Sequence, residues 1–264
     1  MKLETRRRIT GVVLRDLYSL RHNPPRMVEV VFWPTLELVV WGFVSVYLRD
    51  QRVPAVVAVL LGGVLLWQVM YRSQGELSLT FLEDVWSRNL LNVFVTPLAT
   101  HEYIVGLLLF GTLKTAAGAT LMATLALLFY GFGLFSIGPA LVPFMVLLVI
   151  MGWSLGVFAI ATVIRFGASA QMIAWILSFA FQPFAAVFYP VAVLPGVAQA
   201  IARVTPASYV FENMRTVLAG GTPDWSALLV AGLLDVVYVG VAVGCLAGAL
   251  RYARRRGRLS RFGD

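Results

Sequence analysis

The chain has 264 residues, of which 59% are hydrophobic and 13% are charged, with a formal net charge of +8. Soluble domains are nearer to about 45–50% apolar and about 25% charged, so this composition excludes an ordinary soluble globular protein and predicts an integral membrane protein. A single cysteine excludes an internal disulfide, and basic residues beside hydrophobic runs indicate contact with membrane lipid headgroups and not with nucleic acid.

The first predicted element is a basic amphipathic helix within residues 1–26. Charged residues interrupt its apolar positions, so we expect an interface helix and not a cleavable signal peptide, which has an uninterrupted apolar core. The apolar residues recur every three or four positions and fall on one face, which predicts a helix lying in the cytoplasmic membrane interface. Pro24 and Pro25 are expected to end this helix and turn the chain into the bilayer.

Six apolar stretches follow, and each is near the ~20 residues that a membrane-spanning helix requires. They cover residues 27–48, 54–78, 103–130, 139–164, 168–189 and 226–250. No linker separates a soluble domain and no repeat is evident, so the sequence predicts a single all-α transmembrane domain over residues 1–264.

An even number of spans puts both termini of a multi-pass protein on the same side. With the termini inside, fifteen lysine and arginine residues lie on the inner side and four lie outside. Because basic residues favour the cytoplasmic side, both termini are predicted to be cytoplasmic.

A polar insert, residues 83–100, separates the second and third predicted spans. Its apolar positions Trp86, Leu90, Val93 and Phe94 form one stripe, while most polar side chains lie on other faces. The pattern predicts a helix lying flat on the cytoplasmic face of the membrane. A partner-binding surface and a simple interfacial linker both fit it.

This insert resembles the coupling-helix region of type-2 ABC exporter permeases. That family has an acidic start, a leucine-rich amphipathic helix and a Thr-Pro-Leu turn followed by an acid. The corresponding residues here are Glu83, Asp84, the letters NLLNVFV, the turn at 96–98 and Glu102.

A second resemblance to the same family lies late in the chain, in the letters YPVAVLPGVAQAIARVTPASYVFENMR. Pro190, Pro195 and Pro206 have the spacing of the family's segment between its fifth and sixth spans, and Glu212 and Arg215 close it. The resemblance implies short re-entrant helices over residues 190–215 that dip into the outer leaflet.

The resemblance implies a permease that forms a homodimer in a bacterial-type cytoplasmic (inner) membrane and exports an amphipathic or lipid-like substrate. The chain has no GxxxxGK[ST] phosphate loop, so it is expected not to be an enzyme and to hold no cofactor. Two copies of a separate ATPase would bind ATP and Mg and engage the 83–100 segment. The residues implied in this coupling are Glu83, Asp84, Arg88, Leu91 and Pro97.

Charged residues within predicted spans are candidates for a substrate path or for interhelical clamps, because such charges are costly in a bilayer. These candidates are Glu37, Arg72, Glu76, Lys114 and Asp235. Arg72 and Glu76 are four positions apart on one helix face and are expected to be able to pair. Lys114 is expected to neutralise Glu37 or Asp235, and Glu76 is alternatively close enough to the cytosol to need no partner.

Two small-residue motifs predict close helix packing. Gly240, Gly244 and Gly248 form a GxxxGxxxG stripe in the sixth predicted span, which fits packing within or between protomers, or ordinary glycine enrichment. The letters GWSLG at residues 152–156 match a nucleophile motif, but no histidine is expected near Ser154, so we interpret them as a packing motif.

The remaining patterns leave two classes of function open. Phe181 and Phe184 belong to an aromatic cluster that fits a substrate exit or an interfacial belt. No carboxylate, histidine or cysteine cluster has metal-ligand spacing, so no metal site is predicted. The alternative to an ABC permease is a self-contained secondary transporter that uses the intramembrane charges.

Overall fold

The computed structural model describes residues 2–50, 54–87, 89–167 and 170–255. Every α-helix in this part of the chain is numbered in order, and no strand occurs in it, which confirms the all-α class. The helices are α1 (Lys2–Arg21), α2 (Pro24–Asp50), α3 (Pro54–Trp86), α4 (Leu90–Val95), α5 (Thr100–Tyr130), α6 (Leu141–Phe166), α7 (Gln171–Ala185), α8 (Gly196–Arg203), α9 (Pro206–Leu218) and α10 (Trp225–Arg255).

Four helical stretches in the described residues are long and apolar enough to cross a membrane. They are Pro24–Tyr47, Thr100–Tyr130, Leu134–Phe166 and Trp225–Ala253. They coincide with the first, third, fourth and sixth predicted spans, and they confirm that the protein is an integral membrane protein.

The second and fifth predicted spans correspond to α3 and α7. Helix α3 has 33 residues and would reach about 50 Å, well beyond an apolar core of about 30 Å. Helix α7 has only 15 residues, or about 22 Å, and ends where Ala186 takes a left-handed conformation with φ 53°. The fifth span is therefore shorter than predicted, and a count of six spans stays a prediction.

Helix α3 is the central element, because it packs against α2, α5, α6 and α9. Leu61, Leu66 and Met70 are among its completely buried side chains. A burial this complete explains why the sequence of α3 is apolar on every face through its first half.

Two glycines of the GWSLG motif let α6 approach α3 closely. A Cβ atom added at Gly152 would lie 2.6 Å from the carbonyl oxygen of Met70, and one at Gly156 would lie 3.1 Å from that of Gln74. The hydroxyl of Ser154 donates to the carbonyl of Ile150 at 2.9 Å. The interpretation of this motif as helix packing is confirmed.

The 190–215 segment contains a short 3-10 turn, α8 and most of α9. The Glu212 carboxylate accepts a hydrogen bond from the Val191 amide at 2.6 Å and pairs with Arg215 at 3.0 Å. Arg215 also donates to the carbonyl of Ala186 at 2.7 Å. These contacts fasten α9 to the chain that leaves α7.

Helix α10 packs on α6 and α9. Its buried side includes Ala242 and Ala249, whereas the glycines of the GxxxGxxxG stripe are exposed. A Cβ atom at Gly240, Gly244 or Gly248 would meet nothing within 4 Å. The stripe therefore makes no close contact with the described part of the same chain.

Candidate coupling segment and membrane cavity

The 83–100 segment, here called the coupling segment, is built from three pieces. Its first residues are the last turn of α3, which ends at Trp86. Helix α4 follows and has only six residues, and Thr96 ends it in an extended conformation. Helix α5 begins at Thr100 after the turn. The single amphipathic helix predicted over this segment is thus a helix end, a short helix and a turn.

Asp84 is the centre of a hydrogen-bond network in the coupling segment. Its carboxylate accepts from the Arg15 guanidinium at 2.8 Å, the Tyr103 hydroxyl at 2.6 Å and the Asn89 amide at 3.2 Å. Only 7% of Asp84 is exposed. These donors come from α1, α5 and the loop before α4, so Asp84 ties all three to the end of α3.

Arg15 and Asp16 extend this network on α1. Arg15 donates to Asp16 at 2.8 Å, and burial raises the pKa of the Asp16 carboxyl while Arg15 opposes that rise. Burial alone lowers the pKa of Arg15, but Asp84 and Asp16 outweigh it and raise that pKa, so the guanidinium stays charged.

Two further ion pairs attach the same segment at its ends. Arg26, at the start of α2, pairs with the half-buried Glu83. Arg8 lies 3.5 Å from Glu102, whose carboxylate also accepts the Ala99 amide at 2.9 Å and caps α5. Together with the Arg15 pair, these contacts hold α1 and the start of α2 against both ends of the coupling segment.

The coupling residues predicted from the sequence differ in their surroundings. Glu83 and Asp84 face the rest of the chain, whereas Pro97 is exposed. Arg88 lies outside the described residues, and Leu91 lies in α4 with a side chain that is also outside the description.

Sequence reasoning identified Pro97 at the exposed tip of the segment but missed Val95 beside it and one of the segment's buried anchors. Val95 is 86% exposed, and Thr96 beside it is exposed too. An apolar residue directly before a Thr-Pro turn was the available signal for the tip. Tyr103 was missed because its role depends on the contact between α5 and α3, which no local pattern reveals.

A cavity of about 600 Å³ lies between α2, α3, α5 and α7. Glu76 on α3 lines it and pairs both with Arg72, at 3.3 Å, and with Lys114 on α5. The predicted pairing of Arg72 with Glu76 is confirmed. The prediction that Lys114 neutralises Glu37 or Asp235 is wrong, because α5 packs against α3 and turns Lys114 toward Glu76.

A second carboxylate and several aromatic rings also line the cavity. Glu37 on α2 is half-buried and lines the cavity, and among the described residues no cation lies within ion-pairing distance of it. The lining rings are Trp33, Tyr71, Trp175 and Phe179. Phe179 belongs to the aromatic cluster that the sequence predicts in the fifth span, whereas Trp33, Tyr71 and Trp175 were missed. Trp33 and Glu37, and likewise Trp175 and Phe179, have the four-residue spacing of one helix face.

Three other candidates lie outside the cavity lining. Phe181 makes an edge contact with Tyr238 at 6.1 Å, and Phe184 is half-buried near the end of α7. Asp235 on α10 is 1% exposed, and neither of its carboxylate oxygens has a hydrogen-bond partner among the described residues. Asp235 therefore does not belong to the charged cluster around Glu76.

Comparison with known families matches one model, described as ABC-2 type transporter, over residues 15–219. The match begins inside α1, includes the coupling segment and the cavity, and ends just after α9. A comparison with curated proteins finds no match.

Proposed function

The chain belongs to the ABC-2 type transporter family, and from that premise we propose that it is the export permease of an ATP-driven transporter. Membership identifies an integral membrane permease component that works with a separate ATPase subunit. We further propose a homodimer carrying two ATPase copies, with both termini in the cytoplasm of a bacterial-type inner membrane. ATP and Mg would be bound by the partner.

The observation that carries the proposal is the anchoring of the coupling segment by Asp84. Arg15 and Tyr103 both donate to its carboxylate, at 2.8 and 2.6 Å. A force applied to the segment would therefore act on α1, α3 and α5 together, because these helices share one buried network. Such a shared attachment is what a transmission surface between an ATPase and membrane helices requires.

We divide the roles within the coupling segment by exposure. Val95 and Pro97 are exposed at its tip and would contact the ATPase. Arg88 and Leu91 keep the contact role that the family resemblance implies. Asp84 acts as a positioning residue, because its carboxylate is already occupied by donors from the same chain. Glu83 is also a positioning residue, because its carboxylate pairs with Arg26.

Co-purification of the tagged chain from its native membrane tests this function, with Val95→Asp as the informative variant. Because Val95 is at the exposed tip and touches no core, the change should leave the fold intact. It should lower recovery of a phosphate-loop ATPase about tenfold. The matched control is Val193→Asp, which alters a valine that is 71% exposed in the 190–215 segment.

The two variants together make the outcome decisive. Recovery of the ATPase with the wild type and with Val193→Asp, but not with Val95→Asp, supports both the function and the position of the contact. Absence of any ATPase from the wild type, even after crosslinking in the membrane, contradicts the proposed function. Equal recovery with all three chains contradicts the assignment of the tip.

A further inference from the structure

The cavity between α2, α3, α5 and α7 has the features of a ligand site. Its volume of about 600 Å³ falls in the range of about 300–1,000 Å³ that is typical for small-molecule pockets. Its walls are largely apolar, with Leu36, Val40 and Leu79 among the lining residues. An apolar wall with a few charged groups suits an amphipathic ligand.

The cations of the cavity are already engaged by carboxylates of the same chain. Arg26 pairs with Glu83, and both Arg72 and Lys114 pair with Glu76. Arg26 is therefore compensated by a carboxylate of its own, whereas Arg72 and Lys114 share the single negative charge of Glu76. An anionic ligand would have to compete with Glu76 for its two partners.

In contrast to these cations, the carboxylate of Glu37 is in no ion pair with a described residue. It lines the cavity from α2, and no described cation lies within 4 Å of it. Glu29, about two helical turns before Glu37 on α2, also lines the cavity and is exposed. With Arg26 paired to Glu83, the lining carboxylates Glu29, Glu37 and Glu76 outnumber the lining cations Arg72 and Lys114 by one, so the remaining charge of the cavity is negative.

Aromatic rings line the same cavity as this carboxylate. Trp33 lies one turn before Glu37 on α2, and Trp175 and Phe179 face the cavity from α7. The rings of Tyr71 and Phe179 are 5.2 Å apart at their centroids. Aromatic faces attract organic cations, and the attraction is strongest where water is excluded.

We propose that the cavity binds a lipophilic organic cation, with Glu37 as its counter-ion and the aromatic rings around its apolar body. The ligand class is an amine or quaternary onium group on an aromatic or polycyclic body. That the bound cation is the transported substrate rests on the proposed permease function. Binding itself requires only this chain.

Two probes of nearly the same shape and opposite charge test whether the site prefers a cation or an anion. The full-length chain, purified in a neutral detergent, is titrated with tetraphenylphosphonium and separately with tetraphenylborate, and bound probe is measured by equilibrium dialysis. We expect saturable binding of tetraphenylphosphonium with an affinity at least about tenfold higher than that of tetraphenylborate. Equal or tighter binding of tetraphenylborate would overturn the proposal.

Variants of Glu37 locate the binding. Glu37→Gln should weaken tetraphenylphosphonium binding about tenfold and leave tetraphenylborate unchanged, whereas Glu37→Asp, which keeps the charge, should recover part of the affinity. The control is Glu4→Gln, which removes an equivalent charge from an exposed position of α1. Unchanged cation affinity in Glu37→Gln, in a sample with the wild-type unfolding temperature, would overturn the assignment.

The binding assay tests the ligand class and the co-purification tests the permease function, so either proposal can be overturned without the other. Loss of the cation preference with an intact ATPase complex overturns the ligand class and leaves the permease function standing. Specific cation binding to a chain that recruits no ATPase supports the site and contradicts the proposed function.

Discussion

Asp16 lies where α1 is attached to the rest of the molecule. Its carboxylate pairs with Arg15, but burial of its negative charge costs free energy. One of its carboxylate oxygens is buried without a hydrogen-bond partner among the described residues, while the other accepts from Arg15. Burial raises the pKa of Asp16, so the folded chain holds this proton more tightly than the unfolded chain does.

This linkage predicts a pH dependence of stability. The unfolded carboxyl titrates near pH 3.9, so the contribution of Asp16 is complete below that pH and is lost as the pH rises through the raised folded-state pKa. Asp16→Asn removes the titration. Unfolding temperatures measured in detergent from about pH 4 to pH 8 should therefore show the wild type losing stability relative to Asp16→Asn as the pH rises.

The difference should level off once Asp16 is fully ionised. A constant difference between the two chains across the whole range would show that Asp16 titrates normally. Glu4→Gln, at an exposed position of α1, is the control for a change of charge on that helix.

Single side chains also show which contacts a sequence can reveal. Arg72 and Glu76 share a helix, so their spacing of four residues was enough to predict the pair. The partner of Lys114 lies on another helix, and its identity depends on how α5 is rotated against α3. Tyr103 likewise acquires its role only from a contact between helices, its hydrogen bond to Asp84.

Between elements, the approach of α6 to α3 depends on two glycines whose spacing is visible in the sequence. A Cβ at Gly152 would be 2.6 Å from a backbone oxygen, which is too close for a side-chain adjustment to relieve. Gly152→Ala should therefore force the helices apart and destabilise the protein by about 2 kcal/mol, the scale of overpacked cores. Thermal unfolding in detergent measures the loss.

Gly240→Ala is the matched control for this substitution. It makes the same change in another long helix, at a position where the added atom meets nothing within 4 Å. Its unfolding temperature should equal that of the wild type or exceed it slightly, since alanine favours helix. Equal destabilisation by both substitutions would contradict the assignment, because the loss at Gly152 would then not come from packing against α3.

The helix lengths mark the limit of what hydropathy could predict at this scale. Apolar composition located α2, α5, α6 and α10, because each presents much apolar surface outward. It overestimated α7, whose end is set by the local backbone at Pro183 and Ala186. It also could not foresee that the coupling segment bends, since its apolar stripe is compatible with one continuous helix.

For the whole molecule, the coupling segment is the place where α1, α2, α3 and α5 are held together. The Arg26–Glu83 pair joins the start of α2 to the end of α3, next to the Asp84 network. Both side chains are partly exposed, so the pair is worth more for geometry than for stability. Loss of the pair should therefore weaken the transmission of motion from the ATPase more than it lowers the stability of the fold.

Charge reversal of this pair separates geometry from charge. Arg26→Glu and Glu83→Arg each place like charges side by side and should lower the ATPase activity of the assembled transporter, while the double reversal should recover most of it. The coupling energy expected from such a cycle is about 1 kcal/mol. Arg203→Glu, at an exposed position of α8, controls for reversal of a single arginine and should have no effect. If the double variant is as inactive as either single one, each residue acts separately, and the pair does not transmit the motion of the ATPase to α2.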